Sequence, residues 1–337
     1  MKAIVLNKHG GVDELKYEEV DMPKSDNKAL VKIHACSVNH LDLWVRMGVR
    51  GKSIKFPHIA GSDIAGELVN DIDGFKRGER VLIYPGLSCM KCRYCLEGNE
   101  TLCKEFVIIG GLNDTQGGYA EYVSVPKYNL VRIPEWLTYE EAASINISYL
   151  TAWNMLEKID AKGKTLLIYA AGSGVGSASI QFAKAMNARV ITTIGNSSKR
   201  IYAEKLKPDL IIDRSIDDIL GKIKEFGYVD AVIDHVGKST WSISMEALRN
   251  GGALATCGAT SGEDTNMNIR MLYNKQLTIY GIYLGSKKQL LAMLRFMEEH
   301  SIRPIIDKVM PLDEVKEAHK RMEESSHFGK IVLINKS

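Results

Sequence analysis

The chain has 337 residues, 45% of them apolar and 25% charged, the balance of a globular protein long enough for about two ordinary domains. Its 44 Lys and Arg against 41 Asp and Glu leave a formal charge of only +3, spread along the chain, so no basic stripe points to nucleic acid or an acidic membrane surface. Nowhere do about 18 apolar residues run together, which excludes a membrane-spanning helix.

The opening stretch, MKAIVLNKHGGVDELKYEEV, alternates apolar and polar positions and predicts strand, turn and strand. It has no continuous apolar core before a small-residue cleavage site, so it does not read as an export signal, and the cytoplasm is the expected location. From Met1 to about Pro134 the runs ALVKIHACSV, IAGELV, ERVLIY and AEYVSVP, set between glycine turns, predict a compact barrel-like β domain.

Inside that region lie Cys89, Cys92, Cys95 and Cys103, in GLSCMKCRYCLEGNETLCKEF. The spacing C-x2-C-x2-C-x7-C lets a loop fold back and set four thiolates at tetrahedral corners, the geometry zinc accepts from sulfur. Four sulfurs leave no position open for substrate, so such an ion holds structure and performs no chemistry. Two disulfides or free thiols are the other reading, but there is no secretory signal and the remaining cysteines, Cys36 and Cys257, are far away. One structural Zn2+ per chain is therefore expected, in a loop over residues of about 86–110.

Beyond Pro134 the period changes. Thr138 to Lys158 has helical spacing, with Ala142, Ala143 and Ile147 among its apolar positions. TLLIYAA, SASIQFAKAMN, ARVITTI, a helix containing KRIYAEKL, LIID and VDAVID then alternate strand and helix, which implies a parallel sheet covered on both faces. ALATCGA and LTIYGIY add two strands, and the tail from about Ser286 holds two helices and a last strand, GKIVLIN. Strand TLLIYAA runs directly into Ala171, Gly172, Ser173, Gly174, Val175 and Gly176 and then into a helix. Glycines there permit a tight turn and close approach of backbone to a pyrophosphate, whose charge the helix N-terminus attracts. After ARVITTI no Asp or Glu occurs before Ile201, whereas Ser197, Ser198, Lys199 and Arg200 do. A ribose 2′-hydroxyl calls for an acid at that place and a 2′-phosphate for cations and hydroxyls, so NADP(H) is preferred over NAD(H). A solvated basic turn is the plainer alternative.

With these parts in hand the chain resembles the medium-chain dehydrogenase/reductase superfamily, which includes zinc alcohol dehydrogenases and quinone oxidoreductases. The resemblance runs the whole length, through MKAIVL, NHLDLWVRMG, PHIAGSDIAG, AAGSGVG, VDAVIDHVG, CGATSG and FGKIVL. It implies an α/β chain: a GroES-like β-rich catalytic domain from residues 1–147 and 284–337, and a Rossmann doubly wound parallel sheet over 148–283. It also implies a homodimer or homotetramer acting on a small-molecule substrate. Where zinc-catalytic members carry Cys, His and Cys ligands, this chain has Asn39, Ser62 and Ile147, and an amide, a hydroxyl and an alkyl group do not replace them. The pattern Asn39-x-x-Asp42-x-x-x-Arg46-x-Gly48 is instead similar to the zinc-independent reductases, in which this asparagine lies beside nicotinamide and substrate.

The resemblance makes Asn39 and Asp42 the candidate catalytic residues, with Asp42 and Arg46, four apart, as a pair that steadies the asparagine. An ordinary polar helix start is the alternative. The resemblance assigns cofactor contacts to His40, to Gly258, Ala259 and Thr260, to Tyr283 and Leu284, and, for the 2′-phosphate, to Lys330. The loop after Asp234 and His235 is expected on the adenine or ribose side. Cys36, His40, His58 and Asp63 offer a nonstandard metal set as a further alternative, although Cys36 on its apolar strand reads as a core residue. The expected reaction is hydride transfer to a quinone, enone or α,β-unsaturated thioester, in which conjugation spreads the charge a metal would otherwise hold. Its competitors are an alcohol dehydrogenase or aldehyde reductase and, more remotely, a non-catalytic NADPH-binding module. Tyr84, Tyr149 and His58 are the proton-donor candidates, each with a packed aromatic or surface histidine as the alternative.

Overall fold

The computed structural model describes residues 1–49 and 51–335. The chain divides into two compact units, Met1–Ile147 with Ser286–Leu294 and Ile306–Ser337, and Ser148–Gly285 with Arg295–Ile305. Residues 284–285 and 295–305 thus group with the second unit, whereas the resemblance implies 284–337 wholly in the first.

In the first unit β1 (Lys2–Val5) and β2 (Lys16–Glu19) pair antiparallel as a ribbon. The centre of its main sheet is β3 (Ala29–Ser37), in which Ala29, Val31 and Ile33 alternate into the core. A register shift between Ile33 and Ala35 then leaves Ala35, Cys36 and Ser37 all buried. α1 (His40–Met47) follows, then β4 (Asp63–Leu68) and β5 (Arg80–Ile83). The cysteine loop lies between β6 (Gly86–Leu87) and β7 (Val107–Ile108) and contains the one-turn α2 (Arg93–Leu96). β8 (Tyr122–Val125), β9 (Leu130–Arg132) and α3 (Tyr139–Ala142) complete this part.

The helix expected over Thr138 to Lys158 is two helices, because α3 ends at Ala142 and α4 (Ser148–Lys158) begins afresh. At the break the Ile147 N–H leaves the helical ladder and donates to Asp63 Oδ1 at 2.7 Å. A capping box of Thr138 and Glu141 starts α3.

The second unit alternates strand and helix: β10 (Thr165–Ile168), α5 (Gly174–Ala185), β11 (Arg189–Ile194), α6 (Arg200–Glu204), β12 (Leu210–Asp213) and α7 (Ile219–Phe226). β13 (Val229–Asp234), α8 (Trp241–Ala247), β14 (Leu248–Thr256), α9 (Ile269–Asn274) and β15 (Thr278–Gly281) follow. All neighbours are parallel in the order β12-β11-β10-β13-β14-β15, the doubly wound Rossmann order. Leu167, Ile191, Ile212, Val232 and Leu254 give it a continuous apolar core. The turns at the carboxyl ends of β10 and β13 flank the point where strand order reverses, the place such sheets bind ligands. Helices α7, α8 and α9 were not among the predicted elements, being short and bounded by polar turns.

After α10 (Lys287–Glu299) the chain returns to the first unit with β16 (Ile306–Pro311), α11 (Val315–Glu323) and β17 (Lys330–Ile334). β16, also unforeseen, is an edge strand carrying Asp307 and Lys308, so it lacks an apolar period. The order β16-β17-β3-β4-β5-β9, with β8 on β3, sets Ser37 between Val332 and Asp63. That register brings the ends of β3, β4 and β17 to one buried place.

Candidate active site and metal centre

The residues at that place form a closed hydrogen-bonded cluster. Asp63 is fully buried, and its Oδ2 accepts from Ser37 Oγ at 2.9 Å, Asn39 Nδ2 at 2.9 Å and Lys330 Nζ at 3.0 Å. With the Ile147 N–H on Oδ1, both carboxylate oxygens are taken. Lys330, only 2% exposed, spends its ammonium on Asp63, on Asn39 Oδ1 at 2.6 Å and on Val38 O at 3.0 Å. This corrects the expectation that Lys330 meets a 2′-phosphate: its three N–H bonds are committed inside the first unit. The same contacts fix the Asn39 amide, with its oxygen on the cation and its nitrogen on the anion.

Asn39 caps α1, and Asp42, three residues on, closes back on it: Asp42 Oδ2 accepts the Asn39 N–H at 2.7 Å and Oδ1 the Gly61 N–H at 3.1 Å. Asp42 is fully buried, and burial pushes its pKa up to about 7 against the pull of the Asn39 N–H and the Lys330 charge. Its two oxygens thus tie Asn39 to the Gly61 turn. Gly61 has φ +97°, and a Cβ there would stand 2.6 Å from Tyr119 Cδ1, so the turn requires glycine. The expected Asp42–Arg46 pair does not form. Arg46 is buried and pairs with Glu323 of α11.

His40 is half-buried, and burial followed by the Lys330 charge pushes its pKa down. The proton-donor candidates are all packed. Tyr84 is fully buried, and burial and the nearby Glu100 raise its pKa well above the ordinary phenol range. Tyr149 donates to Gln181 Oε1 at 2.7 Å and accepts from Ile305 N at 3.0 Å. His58 is fully buried with Nε2 at 3.5 Å from Gly110 O. Cys36 is a core residue whose thiol pKa burial drives up. Among the described residues, the four-cysteine set is the one group of three or more Cys, His, Asp or Glu close enough to share an ion, so Cys36, His40, His58 and Asp63 do not form one.

Cys89, Cys92, Cys95 and Cys103 bring their sulfurs within 4.8 Å of one another, with Cys89 to Cys95 at 3.8 Å and Cys92 to Cys95 at 3.5 Å. Zinc–sulfur bonds of about 2.3 Å require tetrahedral edges of about 3.8 Å, and a disulfide about 2.05 Å, so the arrangement fits the ion and not a bridge. Backbone N–H groups of Cys92 and Glu105 point at Cys89 Sγ and Cys103 Sγ, at 3.3 and 3.4 Å. Such donors favour the thiolate, and those of Lys91 and Cys92 pull the Cys89 pKa down to about 6.

In the second unit Gly172, Ser173, Gly174, Val175 and Gly176 form the turn from β10 and the first turn of α5. A Cβ on Gly176 would lie 2.2 Å from Ala170 O, so helix and strand pack this closely only with glycine, and the cradle fits a pyrophosphate on the helix N-terminus. Ser173 Oγ accepts the Gly176 N–H at 2.8 Å and lies 2.8 Å from His235 Nε2, in the loop after β13. Gly258 abuts the same loop, since its Cβ would stand 2.6 Å from His235 O. Ala259 is half-buried and Thr260 exposed in the turn after β14. After β15, Tyr283 is exposed, whereas the Leu284 side chain is buried and its carbonyl accepts Asn154 Nδ2 at 2.7 Å.

Just beyond β11, exposed Ser197 gives its hydroxyl proton to Asp213 Oδ2 at 2.5 Å. Asp213, across the register from Ile194, is fully buried, and the Ser197 and Ser215 donors hold its carboxyl below the usual range. Lys199 and Arg200 are half-buried, and the Arg200 charge also acts on Asp213. Arg214, which sequence reading missed, is exposed, with Nη2 3.6 Å from where a Gly195 Cβ would sit. It is separated from Gly195 by a whole helix and strand, and only the β11–β12 register brings the two together.

Residues 25–135 match the alcohol dehydrogenase GroES-like domain, and residues 174–299 match the family described as zinc-binding dehydrogenase. The chain is 34% identical over 348 residues to an alcohol dehydrogenase of Geobacillus stearothermophilus, covering 99% of both. It is 28% identical over 353 residues to the quinone oxidoreductase of Homo sapiens, covering 99% of this chain and 98% of that one. The crystal structure of an NAD-dependent alcohol dehydrogenase matches it with TM-score 0.94 at 36% identity, each chain covered completely. A β-rich unit with a four-sulfur loop, a doubly wound sheet with a glycine turn, and likeness over the full length lead to one assignment: the chain belongs to the medium-chain dehydrogenase/reductase superfamily and is an NAD(P)-dependent oxidoreductase.

Proposed function

We propose that this oxidoreductase uses NADPH to reduce a conjugated carbonyl, a quinone, enone or α,β-unsaturated thioester, without a catalytic metal. The observation that supports this reading is the buried Asp63 carboxylate, which four protein donors engage and whose counter-charge Lys330 supplies. Three donors on Oδ2 and the Ile147 N–H on Oδ1 commit this carboxylate to protein partners, and Asn39, Ser62 and Ile147 provide none of the usual zinc donors. When bound, the cofactor supplies the hydride. Asn39 is held by Asp42, Lys330 and Asp63, and its Nδ2, 2.9 Å from Asp63 Oδ2 but at a long 3.5 Å from Ser37 O, is the neutral donor assigned to orient the carboxamide or the acceptor carbonyl.

NADPH is favoured by three features at the end of β11: the sequestered Asp213, the absence of any other acid from Val190 to Ile201, and the exposed Arg214 guanidinium. The test is oxidation of NADPH and of NADH with a quinone, an enone, an enoyl thioester and an aldehyde. Turnover of the aldehyde alone would sink the substrate reading, and equal KM for the two cofactors would sink the cofactor reading. Arg214→Glu is expected to raise KM for NADPH about tenfold or more, the worth of one charge-assisted bond, with KM for NADH little changed.

A further inference from the structure

Ser173 Oγ is engaged twice within the second unit. It accepts the Gly176 N–H at 2.8 Å, which occupies one lone pair, and it lies 2.8 Å from His235 Nε2. A hydroxyl has two acceptor lone pairs and one proton to give. If Nε2 carries the ring proton, both lone pairs are filled and the Ser173 hydroxyl proton must point elsewhere. Ser173 is the N-cap of the twelve-residue α5 and is only half-buried, so the direction left is outward, over the helix N-terminus where an anion is favoured. If Ser173 instead gave its proton to His235, a lone pair would face that anion.

We propose that His235 is a positioning residue for the cofactor: its Nε2–H donates to Ser173 Oγ and thereby turns the Ser173 hydroxyl proton onto a pyrophosphate oxygen. The loop that carries His235 is fixed for this task. Its main chain is packed against Gly258, where a side chain would stand 2.6 Å from the His235 carbonyl. The preceding Asp234 anchors the loop by accepting Val236 N at 2.9 Å, Gly237 N at 3.1 Å and Thr240 Oγ1 at 2.7 Å. The inference rests on reading the 172–176 turn as the pyrophosphate site.

The experiment measures the Kd of NADPH and of ADP-ribose by direct binding to full-length variants. Gly174→Glu, which sets a negative charge at the helix N-terminus, tests the underlying reading, and unchanged binding in that variant would show that the pyrophosphate lies elsewhere. Given loss of binding there, Ser173→Ala and His235→Leu are each expected to raise both Kd values about tenfold, and the double variant no more than Ser173→Ala alone. His235→Gln, whose amide N–H reaches the same position as Nε2–H, is expected to restore binding to within about twofold of the wild type. Effects that add in the double variant, a failure of Gln to rescue, or an unchanged Kd in Ser173→Ala would overturn the assignment. Ser173→Ala removes only a half-buried hydroxyl, so it reads the outcome even if His235→Leu does not fold.

Discussion

Asp63 and Lys330 are a buried ion pair at 3.0 Å, and other protein groups hydrogen-bond to both partners. Such a pair adds little over an apolar replacement, but removing one partner leaves an uncompensated charge in the core. Lys330→Met is therefore expected to lower the free energy of unfolding in denaturant titration by about 3–5 kcal/mol. Adding Asp63→Asn should recover part of that loss, and a single variant as stable as the wild type would contradict the pairing. Asn39 was legible in the sequence because its spacing to Asp42 is local. Its other partner, Lys330, lies 291 residues away, and a lysine in a final strand carries no sign of whether its ammonium faces a phosphate or the interior. The burial of Asp42 and Tyr84 was unreadable for the same cause: burial is a property of the folded chain.

α11 buries Val315, Ala318, His319 and Met322, the i, i+3, i+4, i+7 face of an amphipathic helix. His319 is fully buried, edge-on to Tyr119 with ring centroids 5.9 Å apart, and burial, then the Arg46 charge, push its pKa down to about 3. The unfolded chain, with a histidine pKa of about 6.5, binds this proton more readily than the native state does. Its contribution to stability is complete above about pH 6.5 and is lost as pH falls from there toward 3, at up to about 1.4 kcal/mol per pH unit. His319→Leu is expected to lose less Tm than the wild type between pH 7 and pH 5, and parallel losses would remove His319 from the account. Strands with a strong apolar period, such as β10 and β13, were readable as elements. The break between α3 and α4 was not, because Ile147 leaves the helix to serve Asp63, a tertiary demand overriding local spacing.

The cysteine loop is tied to distant parts of the first unit. Glu100, buried between Cys95 and Cys103, accepts from Lys287 N at 2.6 Å and from the Tyr128 hydroxyl at 3.1 Å, and Lys287 Nζ reaches Leu130 O at 3.1 Å. An ion that fixes this loop therefore also fixes the start of α10. Metal analysis is expected to give one zinc per chain, and chelation should lower Tm by roughly 5 °C or more, as loss of a few kcal/mol would. Two zinc ions per chain would overturn the metal-independent reading of the active site. The sequence by itself determined the two-unit α/β plan, the sulfur ligand set and the glycine turn, because each depends on residues close together whose spacing is their geometry. The tertiary structure alone decided that Lys330 is an internal counter-ion, that Asp213 is closed off while Arg214 stands exposed over Gly195, and that His235 meets Ser173. Those contacts depend on strand order and register, which place residues from different segments of the chain at one point and which no local spacing encodes.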